Sequence, residues 1–225
     1  MHQAGNIIVS YGPRGLVIPS LNSDSALQPK NWKGCRPLSE RQNFVLANMG
    51  TRPWLTDRNT INEQLNGYKG NKKVPRLAPG GRDAQNIMTN VQMVLSLPGD
   101  LPYQKRFYDV LLHCTIPVVI KRNVNGVGDT YWSNVNYGGE TSPRIVDAYP
   151  HLDFPFSELV VEVDGLEMQA EGIMTILERI PIEELEKKLK KIEEVRTQFL
   201  YDFEGNTHDA FSVMLETLWQ KYLSK

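Results

Sequence analysis

The chain has 225 residues, with 25 Lys plus Arg against 26 Asp plus Glu and a formal net charge of −1. That length suits one large domain or two small ones with a substantial core, and the balanced charge argues against non-specific binding to nucleic acid or an anionic membrane. No apolar run approaches the roughly 18 residues of a membrane helix, the start MHQAGNIIVSYGPRG lacks a signal-peptide core, no N-x-S/T sequon occurs, and Cys35 and Cys114 are too few for a disulfide scaffold or a cysteine metal site.

In chain order, Ile7–Ser10 and Leu16–Ile18 are short apolar runs separated by Gly12-Pro13, which read as two small strands or one broken one. Asn22 to Arg36 is polar and proline-bearing, hence loop. Asn43–Ala47 is the first candidate sheet strand, with Arg41 before it and Arg52 in the loop at its carboxyl end. Either arginine is a candidate second cation for a diphosphate, bidentate as guanidinium prefers, or else an exposed loop side chain. Thr60–Gly67 reads as a short helix stopped by Gly67. Tyr68–Pro79 reads as a lysine- and glycine-bearing loop with one strand at Val74–Leu77, and Arg82–Asn90 as a helix with Ile87 and Met88 inward. Lys69, Lys72 and Lys73 lack interleaved aromatics, so they read as a solvated loop.

The stretch from Asn90 to Arg122 organises the rest. Met93–Leu97 is a buried-strand run broken by Pro98, Gly99 and Pro102, which bracket Asp100. From Tyr103 the residues Phe107, Val110, Leu111 and Cys114 recur at helical spacing, and Ile116–Ile120 is a second β-branched run. Strand, glycine loop, helix, strand is a βαβ unit, which builds parallel sheets that bind ligands at their carboxyl edges. Arg106, Asp109 and His113 share the helix face opposite the core stripe. Lys105 and Arg106 sit in the first turn, where a cation weakens the helix by roughly 0.3–1 kcal/mol and a bound anion reverses that sign. Asp109, one turn deeper, is spaced to accept hydrogen bonds from a sugar hydroxyl pair. Two readings stay open: a nucleotide diphosphate across the helix start with its ribose over Asp109, or an Arg106–Asp109 surface pair worth a few tenths of a kcal/mol. Cys114, on the apolar stripe, reads as packing; a Cys35–Cys114 bridge is possible in an oxidising lumen without being demanded.

Asn123–Thr141 is rich in Gly and Asn and reads as a hairpin or flap, with Tyr131, Trp132 and Tyr137 either stacking on a ligand or anchoring the loop. Leu159–Val163 is a strand and Met168–Arg179 a helix stopped by Pro181. Ile182, Leu185, Leu189, Ile192, Val195 and Phe199 form the stripe of a charged scaffold helix. Asp209–Leu223 is a last amphipathic helix, expected to bury Phe211, Met214, Leu218, Trp219 and Tyr222. No phosphate-binding G-x-x-x-x-G-K-S/T, G-x-G-x-x-G or H-E-x-x-H motif is present, and there is no D-x-D.

The order strand, Pro98-Gly99-Asp100, Arg106-Phe107-x-Asp109, Ile116-Pro117-Val118-Val119-Ile120 resembles the exostosin family, glycosyltransferase family 47, with its P-x-G-D, S-x-R-x-x-D/E-A and G-C-x-P-V-I series. The resemblance covers roughly 15–222, weakly before Asn90, and extends through LDFPFSELVVEV, IMTILERI, EEVRTQFL and HDAFSVMLETLW. Val17-Ile18-Pro19-Ser20 is similar to the family's link between lobes, so 1–36 is expected to be linker and partial N-terminal segment and 37–225 the donor-binding lobe. There are departures. Pro98 stands where an arginine often precedes the glycine, Tyr103-Gln104 where a serine sits, and His113-Cys114 where the family has Gly-Cys.

The resemblance implies an α/β fold, a Rossmann-like parallel sheet flanked by helices with a helical C-terminus, as in the C-terminal lobe of a GT-B glycosyltransferase. It implies inverting transfer from a nucleotide diphosphate sugar, most often a UDP-sugar, to a glycan acceptor, with the missing N-terminal lobe supplying acceptor groove and general base. The alternative is an inactive exostosin-like module acting as an interaction or scaffold domain. On the first reading Lys105 and Arg106 bind the diphosphate, joined by Arg41 or Arg52, Gly99 and Asp100 shape the loop, and Asp109 holds the ribose. A transferase lacking D-x-D neutralises the leaving group with cations and a helix N-terminus, so no metal and no cofactor is expected. No general base is identified; His113 reads more readily as a core or helix-surface histidine. The expected setting is the Golgi lumen or membrane, with no targeting or membrane-spanning segment in this chain, no nucleic-acid partner and no direct membrane contact.

Overall fold

The computed structural model describes residues 32, 34–51, 53, 55–77, 87–97, 105–122 and 155–220. The expected strands at 7–10 and 16–18, residues 82–86 of the helix expected over 82–90, and the hairpin or flap expected over 123–141 lie outside them.

Among the described residues five strands form one sheet: β1 Asn43–Asn48, β2 Arg76–Leu77, β3 Val91–Leu95, β4 Ile116–Arg122 and β5 Val161–Asp164. All neighbours are parallel, in the order β2-β1-β3-β4-β5. The apolar runs are continuous rather than alternating because both faces are covered: Val45, Leu46, Met93, Val94, Val118 and Val119 are all fully buried. Register is set by Val45 opposite Met93, Met93 opposite Ile116, and Val118 opposite Val161.

Among the described residues the sheet is accompanied by the α-helices α1 Thr56–Gly67, α2 Lys105–Leu112, α3 Gly165–Glu171, α4 Ile173–Glu178, α5 Ile182–Val195 and α6 Ala210–Leu218. Short 3₁₀ turns lie at Leu38–Glu40, Phe156–Glu158 and Arg196–Phe199. The larger core contains Phe107 and Tyr108 of α2, edge to face at 5.5 Å, with Phe156 6.3 Å from Phe107 and Phe199 6.1 Å from Tyr108. A smaller cluster joins Leu46, Met88, Val91 and Val94 to Val110 of α2. Rossmann-like α/β architecture is thus present.

Four expectations need correction. Helix α1 begins at Thr56 instead of Thr60. The single helix expected over 168–179 is two, divided by Gly172 at φ 89°, a left-handed conformation that glycine adopts without a Cβ clash. On α6 the buried residues are Ala210, Val213 and Thr217, while Phe211 is 49% and Trp219 62% exposed. Apolar residues occupy most of that helix's circumference, so their pattern alone does not choose a face.

The fourth correction concerns the cysteines. Cys35 and Cys114 are disulfide-bonded, with Cα atoms 5.5 Å apart. Cys114 is not on the helical stripe; it follows α2 in the left-handed region at φ 53°. The Cys114 N–H donates to Leu111 O and the Thr115 N–H to Val110 O, which closes the helix with a Schellman turn whose usual glycine is here a cysteine. That turn leads the Cys114 sulfur to its bond with Cys35 in the segment before β1. The segment is further fixed by Cys35 N–H to Glu193 Oε1 at 2.8 Å and by Trp32, whose ring lies 3.8 Å from the Arg196 guanidinium.

Candidate functional site

In a doubly wound sheet of order 2-1-3-4-5 the chain leaves β1 in opposite directions, first to β2 and then across to β3. Ligands bind in the crevice this reversal opens at the strands' carboxyl ends. Here that crevice lies between Asn48, the last residue of β1, and Ser96-Leu97 after β3.

Arg106 stands in the first turn of α2 and reaches across the crevice, donating from Nη1 to the backbone carbonyl of Asn48. Its guanidinium is half-buried. Burial pulls its pKa below the usual value, and the Asp109 carboxylate opposes the shift. A partly desolvated cation in the first turn of a helix, at the positive end of its dipole, is a favourable seat for an anion. Asp109 is 8% exposed and lies close enough to Arg106 for its charge to favour the guanidinium. The pair is thus electrostatically linked, and it stands at the switch point. Lys105 opens α2, but its side chain lies outside the described residues, as do Gly99, Asp100 and Arg52.

Arg41 is elsewhere. It precedes β1, so it occupies the amino edge of the sheet. There its Nη1 donates to Val91 O at 2.8 Å, its Nη2 to Cys114 O and Arg36 O at 2.7 Å each, and its Nε to Arg36 O at 3.0 Å. Burial and the neighbouring Arg36 push its pKa down to about 10, which leaves it charged at neutral pH. A strand of this length spans about 20 Å, so Arg41 cannot share a diphosphate with Arg106. It is a buried bracket that satisfies carbonyls where β1, β3 and β4 begin. His113 lies at the same end: α2 carries it about 10 Å from Arg106, and its Nδ1 sits 2.7 Å from the Asp109 carbonyl.

Two residues of the crevice carry no sequence signature. Arg58, in the first turn of α1 and buried, donates from Nη2 to Leu97 O at 3.0 Å and from Nη1 to Gly50 O at 3.4 Å. It ties the exit of β3 to the loop after β1. A helix start read at Thr60 leaves Arg58 in a loop, which is why its position is not apparent from the sequence. Asn48 is 3% exposed, and its side-chain Oδ1 has no hydrogen-bond partner.

Beside the crevice, beyond β1 and β2, an open cleft of about 420 Å³ is lined by Met49, Gly50, Thr51, Asn62 and Arg76, with Ala47 and Leu77 beneath. Arg76 is held by Asn62 at 3.0 Å and by Asn66. Among the described residues no group of three His, Cys, Asp or Glu side chains is placed to hold a metal ion, and no helix is long and apolar enough to cross a membrane. Compared with models of known protein families and with curated proteins, the chain matches none.

Proposed function

We propose that this chain is the donor-binding lobe of an exostosin-like GT-B glycosyltransferase, which binds a nucleotide diphosphate sugar, a UDP-sugar in particular, for inverting transfer to a glycan acceptor. The observation that carries the proposal is the position of Arg106: a partly desolvated guanidinium at a helix start, bridging to the last residue of β1 at the reversal of strand order. Charge in the transition state of sugar transfer builds on the departing diphosphate, and donors already in place around it need no reorganisation as it leaves. Arg106 and the α2 N-terminus take the diphosphate, with Lys105 beside them. The Asp109 charge favours the guanidinium, and Arg58 fixes the two backbone segments that wall the crevice. Gly99 and Asp100 keep the loop role the resemblance implies, and Arg52 is the remaining candidate for a second cation. Arg41 leaves the set.

Acceptor binding and the general base belong, on this reading, to a second lobe. The Cys35–Cys114 bridge supports an oxidising compartment such as the secretory lumen, because cytosolic reductants keep such pairs reduced. The rival reading, an inactive module retaining the fold, draws on the burial of Asp109 and on the donor Arg106 already gives to Asn48. Calorimetric titration with UDP separates the two. Micromolar binding that is lost in Arg106→Ala supports the donor lobe; no binding at millimolar UDP leaves the module.

A further inference from the structure

We infer that Asn48 recognises a ribose hydroxyl of the bound nucleotide, an inference that rests on the anion seat proposed above. Buried side-chain carbonyls nearly always have a donor. The Asn48 Oδ1 is buried and has none, although the residue's own backbone carbonyl, a few bonds away, accepts from Arg106. Direction follows from strand alternation. Leu46 packs with Val94 and with Val110 of α2, so Asn48, two residues on, faces the same layer, at the edge where α2 begins. The unpartnered acceptor, itself buried, and the guanidinium therefore stand at one crevice.

The chemistry of the acceptor selects its ligand. A carbonyl oxygen needs an N–H or O–H, and an ionised phosphate offers neither. With the diphosphate on Arg106, the hydroxyl-bearing group that UDP itself places beside it is the ribose. Asp109, the carboxylate the sequence offered for that task, is buried and not without a partner of its own. Among the described residues, Asn48 is a polar side chain at the crevice with an open valence for it.

The test is a titration of the full chain and its Asn48→Ala and Arg106→Ala variants with UDP, 2′-deoxy-UDP and 3′-deoxy-UDP. The unmodified chain should bind UDP about five- to tenfold more tightly than one of the deoxy analogues. Asn48→Ala should weaken UDP by the same factor and bind UDP and that analogue equally, with no fall in melting temperature, because the change removes an unpartnered buried acceptor. Equal affinity of the unmodified chain for all three ligands overturns the inference, and it does so even if Asn48→Ala fails to fold. UDP binding that Arg106→Ala abolishes and Asn48→Ala leaves untouched overturns the Asn48 role while the anion seat stands. No UDP binding by the unmodified chain overturns both.

Discussion

Reduction of the Cys35–Cys114 bridge is the perturbation whose size follows most directly from the structure. The bridge joins residues 79 apart, and closing a loop of that length removes about 15 cal/mol/K from the unfolded chain, or about 4.5 kcal/mol at 25 °C. Measured bridges usually fall short of this, so about 3 kcal/mol is the working figure. In a fold of this size each kcal/mol moves the melting temperature by about 2–4 °C, so reduction should lower it by about 6–12 °C. Far-UV circular dichroism melts with and without dithiothreitol measure the shift, and Cys35→Ser should melt at the lower temperature with or without reductant. Cys114 adds a second arm. Its φ of 53° is a conformation in which a Cβ is strained by about 1–2 kcal/mol and glycine is not. Cys114→Gly should therefore be more stable than Cys114→Ala by about 1 kcal/mol, although both lack the bridge. Two titratable thiols in the unreduced, unfolded protein, or melts that ignore dithiothreitol, would refute the reasoning.

Three further outcomes follow from the packing. Arg41→Ala leaves the carbonyls of Val91, Cys114 and Arg36 without their donor and should lower unfolding free energy by about 3 kcal/mol in urea, with UDP affinity unchanged because the site is at the other edge of the sheet. Asp209 caps α6, accepting from the Ser212 N–H at 2.9 Å and from the Asp202 N–H at 2.9 Å; Asp209→Ala should cost about 1–2 kcal/mol. Burial and the nearby Asp209 push the Tyr201 pKa up to about 12 from 10.0. A pKa raised by folding adds stability that is complete below pH 10 and is lost as pH climbs through 12, so alkaline melts should fall across that window and Tyr201→Phe should flatten the fall.

The parallel sheet is legible in the sequence because its signals are local and redundant. Met93–Leu97 and Ile116–Ile120 are continuous apolar runs, Pro98 and Gly99 break the first, and Phe107, Val110 and Leu111 supply a helical stripe between them, giving β3, α2 and β4. The edge to which Arg41 belongs is legible as well, since a residue that precedes a parallel strand lies at the sheet's amino edge. The motif resemblance draws attention to its type, whereas strand direction decides its place. Other features depend on tertiary neighbours. The buried face of α6 is chosen by what packs against Val213, not by a helix that is apolar nearly all round. The bridge requires the left-handed turn at Cys114, which no helical stripe announces. Asn48 and Arg58 acquire meaning only when β1 and β3 are placed side by side, because a strand-end asparagine and a first-turn arginine are ordinary in any sequence.

The central claim is that the crevice between the carboxyl ends of β1 and β3 is an anion seat closed by Arg106. Amide chemical shifts followed during a UDP titration of isotope-labelled protein test it most directly. The account predicts saturable shifts at Asn48, Ser96, Leu97, Lys105 and Arg106, with little change at Arg41 and Thr115, and their disappearance in Arg106→Ala. Shifts confined to the cleft at Gly50, Asn62 and Arg76, or a spectrum that UDP leaves unchanged, would contradict it.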